Sequence, residues 1–223
     1  MALPLGLRNR LAELILDAFD DVSARETLGA LVRFCGSEEG RLRPEDATRL
    51  LTLGWFERAG PDRLRLRGAH QMYRPALCGR VAAATSMVAE GAGGEAGGSQ
   101  AGLLGRAARL ADAGLYFEVH ELLEPAWMRA EGLARVALQG LIQVAVAFHH
   151  AQQGNHPGAR SLLAEGLAKL TAARGALPLD TEAWEQSLGG VRDALEAGQP
   201  PPPASPWPRP RTTSPTESAW RCS

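Results

Sequence analysis

Histidine and glutamate side chains can exchange protons, accept hydrogen bonds or ligate a cation, and the chain places His120, Glu121 and Glu124 close together in sequence. Wound at about 100° per residue, Phe117, His120, Glu121, Glu124, Trp127 and Met128 share one stripe, while Val119 and Leu122 point elsewhere. The same winding aligns Gln139, Gln143, Val146 and His150, with Ile142 and His149 displaced to the side. A polar group left unsatisfied in a packed interior costs roughly 1–3 kcal/mol. The two rows are therefore expected to face each other, because glutamine amides and neutral imidazoles both donate and accept. The result would be a buried His/Glu/Gln cluster between two helices with axes roughly 8–10 Å apart.

Three kinds of chemistry fit such a cluster. It can be a satisfied polar network that only fixes how the helices pair. It can hold a divalent metal: His120 and Glu124 at i,i+4 approach one ion together, and Glu121 and His150 complete four nitrogen and oxygen ligands. Helix bundles do build sites of this kind, although glutamines are poor ligands and the paired Glu-x-x-His of di-metal bundles is missing. Third, Glu121 or Glu124 beside His120 can act as proton acceptor for a small polar ligand or substrate. No nucleophile stands out, since Ser161 lacks a base in register and the cysteines lie elsewhere in the chain. His149, off the polar row, and His156, in a turn, read as surface residues. The leading expectation is a binding or interaction module without catalysis, with the reaction, ligand and oligomeric state unassigned.

Positioning these rows requires helices, and longer motifs support that. Tyr116-Phe-Glu-x-His-Glu-x-x-Glu-x-x-Trp127, Leu138-Gln-Gly-Leu-Ile-Gln-x-Ala145, His150, Gly154-Asn155 and Gly158-Ala159 together resemble the bacterial and archaeal domain-of-unknown-function family 309. The resemblance covers roughly residues 103–197 and implies a small all-helical domain without a settled activity. Pro125 inside the first helix removes one N–H and is expected to kink it.

The fold expected for the whole chain is mainly all-α, with an N-terminal helical module carrying a short β-hairpin and a C-terminal bundle of about five helices. Helical spacing covers residues 7–20, 23–34 and 44–53, with Ser23 and Glu26 as a capping box and Pro44 and two acids opening the third helix. Short strands at 55–58 and 63–67 flank a turn, and another helix covers 71–90. That order weakly resembles a winged-helix domain. Residues 91–102 have the composition of a flexible linker, dividing a module at 1–90 from one at 103–197. Helices are expected there at about 103–113, 115–130, 132–153, 157–174 and 180–197, the last weakened by Gly189-Gly190. The stretch 198–223 reads as a disordered proline-rich tail.

Between Arg41 and Arg74 eight arginines stand against four acids, a surplus of four positive charges. Arg41, Arg43, Arg49, Arg58, Arg63, Arg65 and Arg67 are the candidate DNA contacts of a regulator acting through residues 23–67. The alternative is a solvated face used for packing. A net charge of −1 gives the whole chain no pull toward nucleic acid or membrane. Cys35, Cys78 and Cys222 are odd in number and lack Cys-x-x-Cys spacing, which suggests neither disulfides nor zinc. Charged residues interrupt the N-terminal leucines, and residues 136–148 fall short of the roughly 20 needed for a membrane span. A cytoplasmic protein is expected.

Overall fold

The computed structural model describes residues 3–91, 99–199 and 207–210, the side chains of 87–91 excepted. In order come α1 (Leu5–Asp17), α2 (Val22–Gly36), α3 (Pro44–Thr52), β1 (Phe56–Arg58), β2 (Leu64–Leu66), a short 3-10 helix (Gly68–Tyr73) and α4 (Arg74–Gly91). They are followed by α5 (Gln100–Asp112), α6 (Tyr116–Arg129), α7 (Gly132–Gln152), α8 (His156–Ala172), α9 (Thr181–Ser187) and α10 (Gly189–Glu196). The architecture is mainly all-α with one short hairpin, in which Phe56 faces Leu66 and Arg58 faces Leu64 in antiparallel register.

Local chemistry explains several of the boundaries. The Asp21 carboxylate caps α2 by accepting the Ser23 N–H at 2.8 Å, so the cap lies two residues before the Ser23 expected from sequence. Asparagine 155 does the same for α8, accepting the Gly158 N–H at 3.1 Å. Helix α6 continues through Pro125. The last expected helix is split in two at Leu188, just before Gly189-Gly190, where backbone entropy disfavours helix.

Two stretches expected to lack structure are partly ordered. Ser99 accepts the Gly102 N–H and starts α5 at Gln100, inside the expected linker; residues 92–98 lie outside the described residues. In the proline-rich tail, residues 207–210 pack against the helices, with Trp207 only 3% exposed; residues 200–206 and 211–223 are outside the description. Cysteines 35 and 78 form a disulfide, correcting the expectation of none: α2 and α4 pack side by side and bring together residues 43 positions apart, which spacing alone does not reveal.

Helix α7 lies at the centre of the C-terminal bundle, between α6 and α8. It is long and apolar enough, by length and composition, to cross a membrane, and here its Leu141, Val144, Ala145 and Ala147 are buried in the core. Its approach to α8 is unusually close. A Cβ added to Gly140 would stand 2.9 Å from the Gly166 carbonyl oxygen, and one added to Gly166 would stand 2.9 Å from that of Gly140. In an ordinary helix interior Gly→Ala is favourable by up to about 1 kcal/mol. Here the methyl meets backbone that cannot yield, so Gly140→Ala or Gly166→Ala should destabilise by about 1–3 kcal/mol, read as a lower urea midpoint; an unchanged or higher midpoint would refute the close contact.

Candidate functional site

The two polar rows do not face each other. On α7, Gln143 Nε2 donates to Glu165 Oε2 on α8 at 2.8 Å, and His150 Nδ1 lies 2.7 Å from Asn155 Nδ2 at the turn into α8. Gln139 is half-buried on the same helix. The Gly140–Gly166 contact is the physical reason: it presses α7 most tightly on α8 and turns Gln143 that way. Gly158 completes the arrangement, because a Cβ there would come within 2.6 Å of both the Asn155 amide and the His150 ring. His150 thus serves the α7–α8 turn rather than a ligand cluster.

His120, Glu121 and Glu124 remain together on α6. Nδ1 of His120 is 3.2 Å from Glu121 and Nε2 is 3.9 Å from Glu124, with the three side chains 27%, 33% and 43% exposed. One ligand atom from each lies within 4.8 Å of the others. The group is a half-exposed triad, not the buried cluster expected, and His150 is not part of it.

The buried charge lies on the other side of α6. Glu118 is completely buried, and its Oε1 accepts a hydrogen bond from the Arg80 guanidinium on α4. Its Oε2 and the Nε of Arg80 make no hydrogen bond among the described residues. Arg80 projects into the wall of a cavity of about 390 Å³, which α1 borders through Arg8 and α7 through His149 and Gln152. The Arg8 guanidinium sits 4.0 Å above the Phe117 ring, whose other neighbours are His149 at 5.7 Å and His120 at 6.2 Å. Gln152 is held by donating to the Gly114 carbonyl at 2.9 Å.

His149 is therefore no surface residue. Its Nδ1 is buried and makes no hydrogen bond among the described residues. Burial, followed by the nearby Arg80 and Arg8 charges, pushes its pKa down to about 4, leaving it neutral at pH 7. Sequence reasoning missed Arg8, Arg80, Glu118 and His149, yet a signal existed. Glu118 falls at helical spacing from Leu115 and Leu122, and Arg80 from Leu77 and Ala84, which puts both charges on apolar stripes. A buried carboxylate requires a cation, and a stripe carrying one arginine among core residues supplies it.

Most of the arginines proposed for DNA are occupied. Arg41 pairs with Glu39 at 3.1 Å, Arg63 with Glu39 at 2.9 Å, Arg65 with Glu57 at 2.7 Å and Arg49 with Glu26. Arg43 lies 3.1 Å from Asp46, which Arg33 also grips in a two-pronged bond; the Arg33 bonds, then Arg43, hold that carboxyl below its usual range. Arg67 reaches the Phe56 carbonyl, and Arg58 is exposed. Glu26 and Glu39 lie outside the stretch in which the surplus was counted, and the fold brings them to it.

The His149 shift has a consequence for stability. Its ordinary pKa is 6.5 and its folded value about 4, so the unfolded chain takes up the proton first as pH falls. The stability it contributes is complete above about pH 6.5 and declines toward about pH 4. His149→Gln should thus lose less of its urea midpoint than the unsubstituted chain between about pH 6.5 and 4.5; equal losses would show that His149 titrates normally.

No curated protein and no solved structure matches the chain. Residues 104–162, from α5 into α8, match the family model described as Domain of unknown function (DUF309), so over that span the resemblance carried by the Tyr116–Trp127 and Leu138–Ala145 motifs is shown.

Proposed function

We propose that this chain is a non-catalytic binding module that takes a small anion, a carboxylate or phosphate, in the cavity bordered by α1, α4 and α7. One observation carries the reading: the side chains of Arg8 and Arg80 line one cavity together with His149, and Arg80 Nε and His149 Nδ1, sealed from solvent behind it, make no hydrogen bond among the described residues. Arg8 adds a second guanidinium there, so two cations stand against the single carboxylate of Glu118. A volume of about 390 Å³ suits a small ligand. A histidine with a pKa near 4 is too weak a base for efficient proton transfer at neutral pH, which favours binding over acid/base catalysis.

A metal-dependent or acid/base enzyme acting at His120, Glu121 and Glu124 is the second reading, supported by their 4.8 Å grouping; three half-exposed side chains from one helix give it less support than two arginines lining one cavity give the anion site. DNA binding through residues 23–67 is a third, weakened by the acids that pair with its arginines. The Cys35–Cys78 bridge gives no support to the cytoplasmic setting expected from the sequence.

Calorimetric titration with a panel of small carboxylates and phosphates tests the proposal. At least one should bind once per chain and raise the melting temperature, and Arg8→Ala and His149→Ala should each weaken it about tenfold or more, since a charge-assisted hydrogen bond is worth about 1.5–3 kcal/mol. Binding that neither substitution changes, or no binding by any anion, would refute the site.

A further inference from the structure

The described piece of the C-terminal tail, residues 207–210, is seated in the manner of a peptide ligand. Trp207 is 3% exposed, its ring centroid 4.6 Å from that of the equally buried Trp184 on α9. Its backbone N–H donates to Asp112 Oδ1 at 2.8 Å, and the Arg209 guanidinium takes Oδ2 of the same carboxylate. Pro208 is buried. Pro210 pairs with Leu179, the residue before Asp180 at the start of α9, in an antiparallel bridge.

The side-chain contacts select for particular residue types. The aromatic slot beside Trp184 takes an indole, one of the large rings that anchor interfaces. Prolines on either side of Arg209 restrict the backbone to extended conformations before docking, which lowers the ordering cost. Asp112, at the C-terminal end of α5, reads the backbone and the arginine with its two oxygens at once, so the arginine must stand two positions after the tryptophan. Residues from α5, from the loop before α9 and from α9 itself therefore build one groove.

We propose that the groove of Asp112, Leu179 and Trp184 is a recognition site for a short Trp-Pro-Arg-Pro peptide, which residues 207–210 occupy in cis and which a separate peptide of that sequence occupies once they leave. A tethered occupant competes at an effective concentration in the millimolar range. The unsubstituted chain thus binds such a peptide weakly, and a chain whose own segment is displaced binds it well.

The probe is a fluorescein-labelled synthetic peptide with the sequence of residues 205–212, Ser-Pro-Trp-Pro-Arg-Pro-Arg-Thr, read by fluorescence anisotropy against the full chain. Arg209→Glu sets two acids against each other at Asp112 and displaces the cis segment without touching the groove. This variant should bind the peptide at least about tenfold more tightly than the unsubstituted chain. Adding Asp112→Ala should abolish the gain, and a peptide with alanine in place of its tryptophan should not bind. Trp207→Ser, which removes the cis anchor instead of the charge, should give the same gain; if it loses its helical circular dichroism, the Arg209→Glu result decides alone. Equal affinity for the unsubstituted and Arg209→Glu chains, or binding that survives Asp112→Ala, would overturn the proposal.

Discussion

A carboxylate with no access to solvent has few ways to exist in a folded protein, and Glu118 has taken one of them. Its only hydrogen-bond partner among the described residues is Arg80, contributed by a helix 38 positions earlier in the chain. Removing either charge leaves the other stranded in a medium where an unpaired ion is strongly unfavourable. The pair therefore ties the position of α4 to that of α6. The Cys35–Cys78 bridge reinforces this placement, since Cys78 sits two residues before Arg80 on α4 and ties that helix to α2. Arg8 over Phe117, and Arg106 in a two-pronged bond with Asp20, add further contacts between the earlier helices and the later ones.

The cavity follows from that arrangement. Its wall is shared by α1, α4 and the end of α7, so no single helix contains the site and no local motif can reveal it. Arg80 uses one nitrogen on Glu118 and leaves Nε buried without a hydrogen bond among the described residues. The same guanidinium, with that of Arg8, disfavours protonation of His149. A neutral imidazole lining the same cavity as two arginines offers both a donor and an acceptor, which suits recognition of an anion.

What the sequence disclosed, and what it concealed, divide along physical lines. Helical periodicity, proline and glycine stops and the short hairpin depend on neighbours in sequence, and those elements were legible. The motif around Tyr116–Trp127 was legible too, and it matches a family over residues 104–162. Facing of the two polar rows was not, because it depends on the rotation of α7. That rotation is set by Gly140 and Gly166, whose missing side chains admit the backbone of the opposite helix. A glycine inside a helical pattern reads as a weakness until its partner is known. The basic stretch in residues 41–74 misled for the opposite reason: its counter-charges at Glu26 and Glu39 are supplied by the fold. Trp207 was hidden by the prolines around it, whose composition resembles disorder while one indole finds a slot against Trp184.

A double-mutant cycle on Arg80 and Glu118, read by urea unfolding, is the most direct test of the central claim. Arg80→Met and Glu118→Leu should each cost about 3–5 kcal/mol, and together should recover most of that loss because no charge is then left stranded. Single changes costing less than about 0.5 kcal/mol, the range of ordinary surface substitutions, or two losses that simply add, would contradict a structure built around this ion pair.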